Sequence, residues 1–140
     1  MDIQWITVEP GKVFIGSDNR SILFGGVGPR HEVKIDYDFE ISYLPVDSET
    51  TEVLIKNDDY YVASESEWTL AMEKGLISGN NGIEELSDKI RGSYWSKYCD
   101  GRPFIEDDWL MKVSRAWNSG VPKISLIPRG ENSDCFRLVR

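Results

Sequence analysis

Between His31 and Ile41 the chain alternates without a break. Val33, Ile35, Tyr37, Phe39 and Ile41 fall on one face, and Glu32, Lys34, Asp36, Asp38 and Glu40 on the other. A period of two is that of a half-buried strand, so one strand is expected over 31–41. Ile3 to Val8 has the β-branched and aromatic content of a strand, Glu9-Pro10-Gly11 supplies a turn, and Lys12 to Gly16 a second strand, so these two should form a hairpin. Ser17 to Arg30 is rich in Ser, Asn, Gly and Pro and reads as a loop. Thr51 to Lys56 and Tyr60 to Ala63 read as two more strands, joined into a hairpin by the turn chemistry of Asn57-Asp58-Asp59.

The pattern then changes period. Ser64 followed by Glu67 has the spacing of a capping box, in which the hydroxyl meets a free helix amide and the carboxylate reaches back. Trp68, Ala71 and Met72 share one helical face and Gly75 ends the run, which predicts a helix over Glu65 to Lys74. Ser78 to Gly82 reads as loop, Ile83 to Ile90 as a short helix or an irregular segment, and Gly92 to Asp108 as short strands and turns. Met111 to Trp117, Lys123 to Ile127 and a closing Cys135 to Val139 read as strands. The expected fold is a single α+β domain over 1–140, mostly short antiparallel strands with one or two short helices.

Composition narrows the partners. The 140 residues are 40% hydrophobic and 29% charged, enough for one domain with its own core. A net charge of −8 disfavours nucleic acid, which needs clustered Lys and Arg, and disfavours an anionic membrane surface. The acids are scattered, which is the pattern of a solvated surface. Five Trp and six Tyr are many for this length and serve both cores and binding surfaces. Cys99 and Cys135 lie far apart, with neither zinc nor redox-motif spacing. They read as two free cytosolic thiols, or as one disulfide if the protein is exported. Met1-Asp2-Ile3-Gln4 is neither basic nor followed by an apolar run, so no signal peptide is expected and the expected location is the cytoplasm.

Several segments, in order, resemble the formylglycine-generating-enzyme (sulfatase-modifying-factor) family. Trp5, Pro10, Gly11, Phe14, Gly16 and Ser17 are similar to its aromatic, Pro-Gly turn and Met-Gly-Ser strand end, with Ile15 in the Met place. Pro29, His31, Val33 and Ile35 resemble its Glu-x-Pro-x-His-x-Val stretch. Phe39, Ile41, Tyr43 and Val46 resemble the strand that leads into its Val-Thr-Asn, where this chain has Asp47-Ser48. Ser64, Glu65, Glu67, Trp68 and Ala71 match its Thr-Glu-Ala-Glu-Trp helix start. Val113, Arg115 and Trp117 loosely resemble its Val-x-Arg-Gly-Gly-Ser-Trp, and Cys135-Phe136-Arg137-Leu138-Val139 resembles its Gly-Phe-Arg-Leu-Val. The resemblance covers most of the chain and implies the family's C-type-lectin-like fold.

The departures bear on function. Only Asp47 to Ala63 separates segments between which the family has a long insert with a helix, so that helix is expected to be missing. The family's enzymes hold copper(I) with two cysteines a few residues apart before the closing strand, and thiolates suit that soft ion. This chain has no cysteine between Trp117 and Asp134, and Cys135 stands where the family commonly has Gly. There it reads as a small buried hydrophobe. Gly79-Asn80-Asn81-Gly82-Ile83-Glu84-Glu85 weakly echoes a family segment near a calcium ion, which makes Asn80, Glu84, Glu85 and Asp88 the weak calcium candidates. Otherwise no cofactor is expected.

His31 is the only histidine, too few for the iron-binding relatives' chemistry. A histidine-based nucleophile triad would need it with a Ser and an acid, and no nucleophile-elbow motif is present, so His31 reads as structural. Phe24-Gly25-Gly26-Val27-Gly28-Pro29 has no Lys-Ser/Thr after it and is no phosphate loop. Arg91, Tyr94, Trp95, Tyr98, Arg102, Trp109 and Arg115 are of the types that dominate binding hot spots, and they form the expected ligand or partner surface. Phe104 belongs to the same run, and Trp117, on an expected strand, is its best core candidate. The expectation is a non-catalytic binding module that holds a protein or small ligand through its irregular C-terminal half, like the retroelement-diversified binding proteins it also resembles. The alternatives are a divergent metal-dependent oxidoreductase of the same family, or a structural subunit in a homo-oligomer or complex.

Overall fold

The computed structural model of the chain describes residues 3–16, 30–79, 82–91, 100–118 and 121–140, with backbone alone at 118 and 121–125. Eleven strands and two helices follow one another. They are β1 (Trp5–Val8), β2 (Gly11–Ile15), β3 (His31–Ile35), β4 (Phe39–Ser42), β5 (Val46–Asp47) and α1 (Ser48–Leu54), then β6 (Tyr61–Val62) and α2 (Glu65–Glu73). The C-terminal half adds β7 (Ile83–Ile90), β8 (Met111–Asn118), β9 (Val121–Pro128), β10 (Cys135–Phe136) and β11 (Leu138–Val139). The class is α+β with mostly antiparallel strands.

Three sheets hold these strands: β1-β4-β11-β6, β5-β10-β7-β8-β9, and the pair β2-β3. The expected N-terminal hairpin does not form. β1 pairs with β4, while β2 pairs with β3 in the register Gly11↔Ile35 to Ile15↔His31. The Pro-Gly segment therefore passes the chain from one sheet to another. The long strand over 31–41 is likewise two strands in two sheets, broken at 36–38. The alternation still reports burial correctly, since Val33, Ile35, Phe39 and Ile41 are all core residues.

Four further readings are overturned by the structure. Thr51 to Lys56 was expected as a strand, but α1 covers 48–54. Asp47 sits just before it in extended conformation, and its Oδ1 accepts from the Thr50 amide at 2.7 Å, which caps the helix. The β-branched residues that suggested a strand do not pack as one, since Val53 is 67% exposed. A helix thus stands where the family comparison implied a deletion. Asn57 does form a turn, accepting from the Asp59 amide at 3.0 Å, but the turn joins a helix to β6 rather than closing a hairpin. Ile83 to Ile90 is an eight-residue strand, neither helical nor irregular. Its apolar alternation is hidden because Glu84 and Asp88 share the buried positions with Leu86 and Ile90.

The helix from Glu65 is as expected. Ser64 caps it, the Glu67 amide donates to Ser64 Oγ at 3.1 Å, and Glu67 Oε1 accepts from the Ser64 amide at 2.9 Å. Residues 65–71 are all buried, so α2 is a central helix rather than a surface one. It packs against β2, where a Cβ on Gly11 would lie 3.2 Å from Leu70 Cδ1. Trp68, Leu70 and Ala71 join Val13, Ile15, Val33, Leu86 and Val113 in one core.

Candidate functional site

The closing strand changes sheets at Arg137. β10 lies between β5 and β7, β11 between β4 and β6, and Arg137 sits at the step, fully buried. A buried guanidinium must find partners for its donors. Nε donates to Glu84 Oε1 at 2.6 Å and Nη2 to Glu84 Oε2 at 2.8 Å, a bidentate pair. Nη1 donates to the carbonyls of Ser42 at 3.0 Å and Tyr43 at 2.7 Å, and Nη2 also to that of Ser78 at 2.8 Å. Glu84, equally buried, accepts from the indole nitrogens of Trp68 at 3.1 Å and Trp117 at 2.7 Å. The two indole rings lie 5.5 Å apart, and Gly79 abuts Trp117 so closely that any side chain there would overlap the ring.

Around this centre three other buried acids are held by the fold as well, Asp88, Glu67 and Glu85. Asp88 accepts from the amides of Glu65 at 2.7 Å and Phe104 at 2.6 Å. Glu67 Oε2 accepts from the hydroxyls of Tyr37 and Tyr61, both at 2.9 Å. Burial, then the Glu67 charge, push both phenols far above their ordinary range. Burial also raises the Glu67 carboxyl, outweighing the hydrogen bonds that lower it. Lys112 pairs with Glu85 at 3.3 Å across β7 and β8.

Cys135 begins the closing strand. It is half-buried rather than a core hydrophobe, and its thiol donates to the Ile83 carbonyl at 3.0 Å. Burial, followed by the nearby Glu84 carboxylate, pushes the thiol up to about 11. A thiol so placed is protonated at neutral pH and is a poor nucleophile or soft-metal ligand.

The residues expected to form a partner surface divide. Tyr94, Trp95 and Tyr98 lie outside the described residues, as do Asn80 and Cys99. Trp109 is half-buried and flanked by two cations, Lys89 Nζ at 5.1 Å and Arg129 Cζ at 4.5 Å from the ring centre. Arg91 is exposed beside it and faces Asp108 at 3.9 Å, and Ile105 and Leu110 are exposed nearby in sequence. Arg102 lies elsewhere, over the Tyr37 ring at 5.0 Å. Arg115 is drawn inward: its side chain is 14% exposed, stacks 5.1 Å over Trp68 and donates to Thr69 Oγ1 at 3.2 Å. Phe104 and Trp117 join the core. Of the calcium candidates, Glu84, Glu85 and Asp88 turn to three different sets of donors. Among the described residues no cluster of three His, Cys, Asp or Glu stands together as metal ligands.

Sequence reasoning missed Arg137 and Glu84 as a pair. The signal was present only as an Arg between apolar residues in a closing strand, a position where a charge demands a buried partner. Among the described residues no helix is long and apolar enough to cross a membrane.

No protein-family model and no curated protein matches this sequence. The structure of PvdO from Pseudomonas aeruginosa is similar over 97% of this chain and 93% of that one, with a TM-score of 0.71 and 13% identical residues. At that identity the likeness shows a shared fold. That fold has the α+β class and the mostly antiparallel strands expected from the sequence.

Proposed function

We propose that the chain is a non-catalytic binding module on a reduced formylglycine-generating-enzyme-like scaffold. It offers the surface around Trp109 in its C-terminal half to a protein or small ligand. The observation that carries this reading is the state of Cys135. The thiol is half-buried in the closing strand and hydrogen-bonded to a backbone carbonyl, and burial raises it, so thiolate chemistry is disfavoured there. The buried acids support it, since Glu84, Glu67 and Asp88 all accept bonds that hold elements together. Trp109 with Lys89 and Arg129 over its ring supports the choice of surface, since Trp and Arg are the residue types enriched in interface hot spots.

The test compares wild type, Trp109→Ala and Cys135→Ser for retained partners and for turnover. A partner held by wild type and Cys135→Ser but lost by Trp109→Ala is the expected result. Conversion of a peptide cysteine to an aldehyde in the presence of copper(I), abolished by Cys135→Ser, would overturn it.

A further inference from the structure

Beside the closing strand lies an open groove of about 760 Å3, within the range of small-molecule sites. Its floor is apolar, made by Pro45, Ile83, Leu126, Ile127 and Pro128. Ile83 is 46% and Leu126 39% exposed, so the floor is open to a ligand. Residues 131–135 form one wall, and the wall is built, not draped. Lys112, reaching up from β8, donates to the Glu131 carbonyl at 2.8 Å and to Asn132 Oδ1 at 3.2 Å. The Ser48 amide donates to the Asp134 carbonyl at 3.2 Å, and Ser133 Oγ to the Cys135 carbonyl at 3.0 Å.

These ties use the backbone of Glu131 and Asp134 and leave both side chains exposed on the groove; Asp47, the strand partner of Cys135, also lines it while its Oδ1 caps α1. None of the described lining residues is Lys or Arg. The cation beneath the wall, Lys112, is engaged by Glu85 and by the wall itself. The net charge of −8 adds a field of the same sign. An apolar floor under a carboxylate rim is complementary to a positive group on a hydrocarbon body. The floor removes the hydrocarbon from water, and the rim accepts charge-assisted hydrogen bonds.

We propose that this groove binds a small organic cation, an ammonium or guanidinium group carried on an aliphatic or aromatic body. The site goes beyond the Trp109 surface, shares no residue with it, and stands or falls separately.

The experiment is an amide NMR titration of the full chain with phenylbutylamine, with phenylbutyrate at matched ionic strength as the anion of similar shape. The amine is expected to shift the amides of Ile83, Leu126 and Asn132 to Cys135 saturably, while the anion leaves them in place. In Glu131→Gln/Asp134→Asn both changes are on exposed side chains, so the core amides keep their positions while affinity for the amine falls about tenfold or more. Equal shifts from amine and anion, no saturable shift at these amides, or unchanged affinity in the double variant would each overturn the proposal.

Discussion

Arg137 and Glu84 carry two buried charges through the middle of the molecule, and each is matched. The guanidinium has five hydrogen bonds to a carboxylate and three carbonyls, and the carboxylate adds two indoles. Removing either partner strands the other charge away from water. Arg137→Met and Glu84→Gln are each expected to cost about 3–5 kcal/mol by chemical denaturation. Arg137→Lys should not rescue, because an ammonium cannot span the same fork of acceptors. Glu67 makes a second prediction at this scale. Its carboxyl is raised above the ordinary 4.5 mainly by burial, so the folded state holds its proton to higher pH than the unfolded chain does. The contribution is therefore full below 4.5 and is lost as pH rises through the folded value. Wild type should lose stability relative to Glu67→Gln as pH climbs from 4.5, read from denaturation midpoints across pH. Tyr37 and Tyr61 extend the effect upward: both are raised above 10, so their contribution is lost as pH rises beyond 10. In an alkaline absorbance titration these two of the six tyrosines should form phenolate only as the fold is lost.

At the scale of elements, the capping box is the most local device and the best read from sequence. Ser64→Ala removes the cap of a buried helix and the hydroxyl's bond to the Gly101 carbonyl, and should cost about 1–2 kcal/mol. Gly79→Ala should drive Trp117 off Glu84, destabilising by about 1–3 kcal/mol and shifting tryptophan fluorescence. The alternation over 31–41 was legible as a burial pattern, and Cys135 to Val139 as a closing strand. Their division between sheets was not, because a strand that changes partner keeps its period of two. α1 was misread because Thr50, Thr51 and Val53 look like strand residues one by one, while the Asp47 cap decides the segment as a unit. β7 was misread because Glu84 and Asp88 are polar in sequence yet occupy core positions. The distant Arg137, Trp68, Trp117, Glu65 and Phe104 groups make that tolerable. Among the residues expected at a surface, Arg91 is exposed and Trp109 half-buried, while Arg115 lies inward, since nothing local says that it will lie across Trp68.

For the whole molecule, the last six residues join the two larger sheets. β10 and β11 are interior strands in each, so the Glu84–Arg137 pair forms the seam between them. The fold is shared with PvdO over nearly the full chain at 13% identity. On it the Glu84–Arg137 pair is architecture, and the two surfaces proposed for recognition are the cation-flanked Trp109 and the acidic groove. The central claim, that the scaffold serves binding rather than thiol chemistry, is tested most directly at Cys135. The measurement is the pH dependence of Cys135 alkylation in a Cys99→Ser background, followed by mass spectrometry. A rate that is slow at neutral pH and still climbing at pH 10 is the predicted result, as befits a thiol raised to about 11. A rate already at its plateau near neutral pH would mean a thiolate, and would contradict the account.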